Sequence, residues 1–152
     1  MTHVHPAANR IVVGVDGSTQ SQQALRWAAR IASATHARIS AVAVWDYPLT
    51  YGWGLPADWN PGDDMKRLLT DTVELALGPE RGSDVTLTIR QGSAAHVLLE
   101  ESTGALMLVV GSRGHGGFAG LLLGSVSAAV AEHANCPVLV VHGDQPLPEA
   151  TS

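Results

Sequence analysis

The chain has 152 residues, 45% hydrophobic and 15% charged, with a formal net charge of −5. That length and apolar content describe one globular domain with a full core and exclude a disordered chain. The acidic balance argues against nucleic acid and anionic membrane surfaces as partners. No apolar run approaches the roughly 18 residues of a membrane span, and the single cysteine, Cys136, can build neither a disulfide framework nor a cysteine metal site.

In chain order, Met1–Pro6 lacks a basic-plus-apolar leader pattern, so a cytoplasmic location is expected. Arg10 to Val15 reads as a buried strand. Ser18 offers an N-cap, and Ala24, Leu25, Ala28, Ala29 and Ala32 mark one apolar helix face. Arg38 to Trp45 reads as a second strand. Residues 46–64 break the rhythm with Pro, Gly, Asp and aromatics, among them Trp53, Trp59, Tyr47 and Tyr51. That loop is either a lid over a bound base, a self-packed surface loop or a dimer contact. Met65, Leu68, Leu69, Thr72, Val73 and Ala76 trace a second helix, stopped by Gly78-Pro79.

Val85, Leu87 and Ile89 alternate with Thr86, Thr88 and Arg90, as an edge strand with one exposed face would. Ser93 caps a short third helix ending near Gly104, and Ala105 to Val110 is a continuous apolar run, hence a central strand. Ser125 to Ala134 reads as a fourth helix and Val138 to His142 as a last strand, with the tail frayed from Gly143. Five strands alternating with four helices predict a doubly wound parallel sheet, covered on both faces, in one domain over residues 1–152. In such sheets ligands bind beyond the carboxyl ends of the strands, where the strand order reverses.

The most informative stretch is Gly111-Ser112-Arg113-Gly114, then nine residues, then Gly124-Ser125. It joins an apolar strand to a helix start, and six glycines crowd into residues 111–124. Glycines let backbone approach a ligand, at an entropic cost that a purely structural loop has less reason to bear. A helix N-terminus supplies unpaired N–H groups and about half a positive charge, so the arrangement suits a phosphate. Ser125 either caps that helix or turns its hydroxyl to a phosphate oxygen. Arg113 either reaches a phosphate or is a solvated loop arginine, and His115 is open in the same way. Asp16, at the end of the first strand, favours a helix N-terminus or addresses a ligand, and the two roles can coexist.

This pattern resembles the universal stress protein family, whose ATP-binding members carry G-x2-G-x9-G-[ST]. Gly111, Gly114, Gly124 and Ser125 fit it, flanked by Ile11–Ser18 and by Cys136–Val141, so the resemblance covers about residues 10–142. It implies an open Rossmann-like sheet of the adenine nucleotide alpha hydrolase type, with strand order 3-2-1-4-5. It implies ATP, held with Mg2+, as the ligand. Backbone around Gly14, Val15 and Val44 would meet the adenine, Asp16 the base and ribose, and Val110, Gly111, Arg113, Gly114, Gly124, Ser125, Val126 and Ser127 would complete the nucleotide site. It also implies a homodimer through Val138–Val141, because an exposed apolar edge strand needs cover.

No P-loop Gly-Lys-Ser/Thr, G-x-S-x-G elbow or H-E-x-x-H is present, and Lys66 is the only lysine. A nucleotide-dependent sensor or regulator in the stress response is therefore expected. The rivals are a weak ATPase or phosphotransferase using Asp16 and Arg113 around Mg2+, a sensor of AMP or cyclic AMP, and a flavin-binding domain of similar topology.

Overall fold

A computed structural model describes residues 9–46, 61–82, 84–113 and 124–143. The elements alternate along the chain: β1 (Arg10–Gly14), α1 (Thr19–Thr35), β2 (Arg38–Trp45), α2 (Pro61–Gly82), β3 (Val85–Gln91), α3 (Ala94–Glu101), β4 (Met107–Gly111), α4 (Ser125–His133) and β5 (Val138–Val141). All pairings are parallel, in the order β3-β2-β1-β4-β5. This is the predicted open, doubly wound sheet.

Strand periodicity sorts the apolar side chains into two layers. Ile11 and Val13 of β1 join Ile39, Ala41, Ala43, Val109 and Val141 beneath Leu25 and Ala28 of α1 and Leu69 and Val73 of α2. Val12 points the other way and joins Val42, Leu108 and Val110 beneath Val97 and Leu98 of α3 and Val130 of α4. Both faces of the central strands are thus buried, which is why those strands read as unbroken apolar runs.

The helix stripe predicted from Ala24, Leu25, Ala28 and Ala32 is the buried face of α1. Ser18 is its N-cap, and His36 closes it in the left-handed region at φ 58°. α2 begins at Pro61, four residues before the apolar period starts at Met65. Its first turn is built from proline, whose fixed φ suits that position, and from Asp63 and Asp64, which favour the dipole; such a turn buries too little to show a period. The predicted stop at Gly78-Pro79 is a break, with Gly78 at φ 82° and ψ 160°, after which Pro79 starts one more turn.

Several ends shift. β1 stops at Gly14, β4 starts at Met107, β5 stops at Val141, and α3 ends at Glu101, with Ser102 as its C-cap. Ser93 occupies the N-cap position of α3 without a side-chain hydrogen bond. On β3 the expected alternation is blurred. Val85 is buried, yet Leu87 is 38% exposed, while Arg90 is half-covered because its guanidinium reaches Glu101 at 3.1 Å and Glu100 at 3.2 Å on α3.

β1 and β4 are neighbours whose following helices leave to opposite faces of the sheet, so the order reverses between them. Residues after Gly14 and after Gly111 therefore emerge side by side at the carboxyl edge.

Candidate functional site

The β1 side of this cleft is Gly14-Val15-Asp16-Gly17-Ser18. The Val15 N–H donates to the Val42 carbonyl at 2.9 Å, extending the ladder one residue past β1. The Val15 side chain is buried in the α1–α2 layer, so only its main chain can address a ligand. Gly14 faces the other layer, and a Cβ there would lie 3.0 Å from Leu98 Cδ1 and 3.4 Å from Val110 Cγ1. Val44 packs at the rim of that same layer and Val110 is buried within it. The structure therefore brings Gly14, Val44 and Val110 to one apolar face.

Gly17 turns the chain at φ 83° against Leu68 of α2. The turn lets Asp16 Oδ1 accept from the Ser18 N–H at 3.0 Å and from the Ser18 hydroxyl at 2.5 Å. Ser18 Oγ in turn accepts the Ser21 N–H at 3.1 Å. One oxygen of Asp16 thus braces the start of α1, the first of the two roles expected for it.

The opposite side is Gly111-Ser112-Arg113 and Gly124-Ser125. Ser112 is a buried junction. Its N–H donates to the Val141 carbonyl at 2.8 Å, and its carbonyl accepts the Gly124 N–H at 2.5 Å. The Ser127 hydroxyl also donates to that carbonyl at 2.8 Å, with the Gly124 carbonyl at 3.1 Å. The two ends of the glycine segment are therefore tied into a neck. Both glycines of the neck sit where a side chain would crowd. A Cβ at Gly111 would lie 2.8 Å from Gln20 Cβ, and one at Gly124 would lie 3.3 Å from the Ser112 carbonyl oxygen.

Gly124, not Ser125, is the N-cap of α4, at φ −71° and ψ 166° and with no side-chain cap. Ser125 is the first helical residue and is exposed. The main-chain N–H groups of Ser125, Val126 and Ser127 point out of the helix end, where helical geometry provides no acceptor. Ser127 is buried, and its hydroxyl proton is committed to the neck. Gly114, His115 and the rest of residues 114–123 lie outside the described residues, as do residues 47–60 of the aromatic loop.

Sequence reasoning missed one residue of the site. The Gln20 carboxamide oxygen accepts the Arg113 N–H at 2.6 Å and the Ser112 hydroxyl at 3.2 Å. The available signal was a pair of glycines, Gly111 ending β4 and Gly143 following β5, between which a side chain from α1 can enter.

Among the described residues no group of three or more His, Cys, Asp or Glu side chains could hold a metal ion. Among them, too, no helix is long and apolar enough to cross a membrane.

The same architecture recurs in known proteins. A universal stress protein solved in complex with cAMP superposes with a TM-score of 0.65 at 28% identity, covering 89% of this chain and 97% of that one. A universal stress protein of Mycolicibacterium smegmatis is 39% identical over 148 residues, 88% of this chain and 48% of the relative. One from Mycobacterium tuberculosis is 35% identical over 147 residues, again 88% and 48%. The chain thus spans about half the length of the curated relatives it matches. The sequence pattern of the universal stress protein family matches residues 8–142, and with that match and the 3-2-1-4-5 sheet the chain belongs to the universal stress protein family.

Proposed function

We propose that this chain binds ATP in the cleft between the carboxyl ends of β1 and β4 and acts as a nucleotide-dependent sensor or regulator in the stress response. The observation that carries the reading is the neck. Gly124 meets Ser112 across the cleft edge, and the α4 N-terminus opens there without a side-chain cap. Those N–H groups and the helix dipole suit a phosphate chain, so the residues present fit the proposed group.

In this reading Gly111, Arg113, Gly114, Gly124, Ser125, Val126 and Ser127 surround the phosphates, with Ser125 offering its exposed hydroxyl. Gly14, Val15, Val44 and Val110 flank the adenine, and Asp16 addresses the base and ribose. Mg2+ would accompany ATP through phosphate oxygens and neutralise part of their charge. We read binding rather than turnover, because the cleft's described carboxylate, Asp16, already braces α1 through Ser18. The protein is read as a cytoplasmic homodimer paired along β5, whose Val138, Leu139 and Val140 are only half-buried.

The test is mass spectrometry of the nucleotide that co-purifies, followed by calorimetry against ATP, AMP, cyclic AMP and adenosine. ATP as the tightest ligand supports the reading, and no binding of any adenine nucleotide refutes it. A second reading, cyclic AMP as the ligand, is favoured by the similar protein solved with that molecule, and the same panel decides between them. Steady-state hydrolysis well above background would instead support the ATPase reading.

A further inference from the structure

Gln20 lies in the first turn of α1, on a different element from both arms of the neck, yet its side chain is built into it. Two glycines make its room. At Gly111 even a methyl group would come within 2.8 Å of Gln20 Cβ, and at Gly143 it would collide with Gln20 Cγ. The side chain is thus wedged between the ends of β4 and β5. Its amide orientation follows from its neighbours, because the Arg113 N–H can only donate and so must face the carboxamide oxygen. That oxygen also takes the Ser112 hydroxyl, while the other polar atoms of Ser112 are held by Val141, Gly124 and Ser127.

We infer that Gln20 is a positioning residue for phosphate binding: its carboxamide oxygen fixes the Ser112–Arg113 main chain beside the α4 N-terminus, so that the two face one ligand. This rests on the nucleotide reading above. Its physical content is preorganisation. A neck held in place before the ligand arrives spares the ordering cost on binding. That saving concerns groups that meet phosphates and leaves adenosine, which has none, unaffected. Gln20 itself belongs to no part of the G-x2-G-x9-G-[ST] pattern, and the only sequence signal for it is indirect, the glycines at 111 and 143 that leave it room.

The test uses the full chain with Gln20→Met, which fills the wedge without a strong acceptor, and Gln20→Glu, which keeps an acceptor oxygen. NMR hydrogen exchange at the Arg113 amide reads the contact without any ligand. Calorimetry reads ATP and adenosine separately. In Gln20→Met, Arg113 exchange should rise about tenfold and ATP affinity should fall about 2- to 10-fold, as expected for one lost hydrogen bond. Adenosine affinity should stay within about twofold by the same arithmetic. Gln20→Glu should retain Arg113 protection.

Unchanged exchange in Gln20→Met overturns the contact. Faster exchange with equal loss of ATP and adenosine, or with no loss of either, overturns the phosphate-specific role, and tighter ATP binding would make Gln20 an obstacle instead. If the unaltered protein binds no adenine nucleotide, the functional reading fails and this inference falls with it. If it binds ATP and only the variants behave as wild type, the inference alone is refuted.

Discussion

Gly111→Ala separates two reasons for a glycine at the end of β4. The position lacks a positive φ, so conformational freedom is not what it needs. What it needs is room: an added methyl would sit 2.8 Å from Gln20 Cβ and 3.4 Å from the Arg113 carbonyl oxygen. Carbon atoms prefer about 3.5–4.0 Å, and Gln20 Cβ belongs to the first turn of α1, so no flexible tip can swing away. The first turn of α1 or the end of β4 must shift by several tenths of an ångström. Overpacking of this kind costs about 1–3 kcal/mol. For a chain of this size that is a fall in Tm of about 2 to 12 °C, measurable by urea or thermal denaturation.

A double-mutant cycle locates the cost. Gln20→Ala keeps its Cβ and should leave the clash in place. Gln20→Gly removes it, at about 0.5–1 kcal/mol of helix propensity, and should recover most of the loss in the double variant. The reasoning is refuted if Gly111→Ala unfolds within about 0.5 kcal/mol of wild type, the range of ordinary surface changes. It is refuted as well if Gln20→Gly fails to relieve the defect. In either case the glycine serves the ligand rather than the packing of α1.

Ser125→Ala should leave stability nearly unchanged, because the side chain is exposed and Gly124 holds the cap position. If its hydroxyl meets a phosphate, ATP should weaken about 2- to 150-fold for the loss of roughly 0.5–3 kcal/mol, and an unchanged titration would remove Ser125 from the site. Val140→Asp places a charge on the half-buried edge strand β5 and should shift a dimer toward monomer in light scattering; a wild type already monomeric at micromolar concentration would sink the dimer. Burial pushes the Cys136 thiol above its ordinary value of 9.0, opposed by hydrogen bonds from Ser102 and Leu108. Iodoacetamide at pH 8 should therefore alkylate it more slowly in the native protein than in urea, and equal rates would refute the burial argument. The sign for stability follows. The unfolded chain loses this proton first, so the contribution of Cys136 is full below pH 9.0 and declines as pH rises above it.

What could be read from the sequence follows the physics that leaves a periodic trace. The parallel sheet covered on both faces was legible because strands buried on two faces must be apolar without interruption, as Ile11–Val13 and Leu108–Val110 are, whereas the strand order came from the family resemblance and not from any period. Gly78-Pro79 was legible as a break because both residues restrict the backbone itself. The start of α2 was not, since Pro61 to Asp64 form a turn through φ and dipole terms while burying almost nothing. At the cleft, the spacing of Gly111, Gly124 and Ser125 located the neck, but it could not assign the cap, because serine and glycine both suit an N-cap; the backbone of Gly124 decides it. Gln20 left no periodic trace, for a further reason. A polar side chain in the first turn of an amphipathic helix looks solvated in any linear reading. Only the fold, by setting α1 across the ends of β4 and β5, turns it inward, and then the absence of side chains at Gly111 and Gly143 becomes the mark of its presence. The informative glycines of this chain thus do two different things, and only the neighbours of each say which.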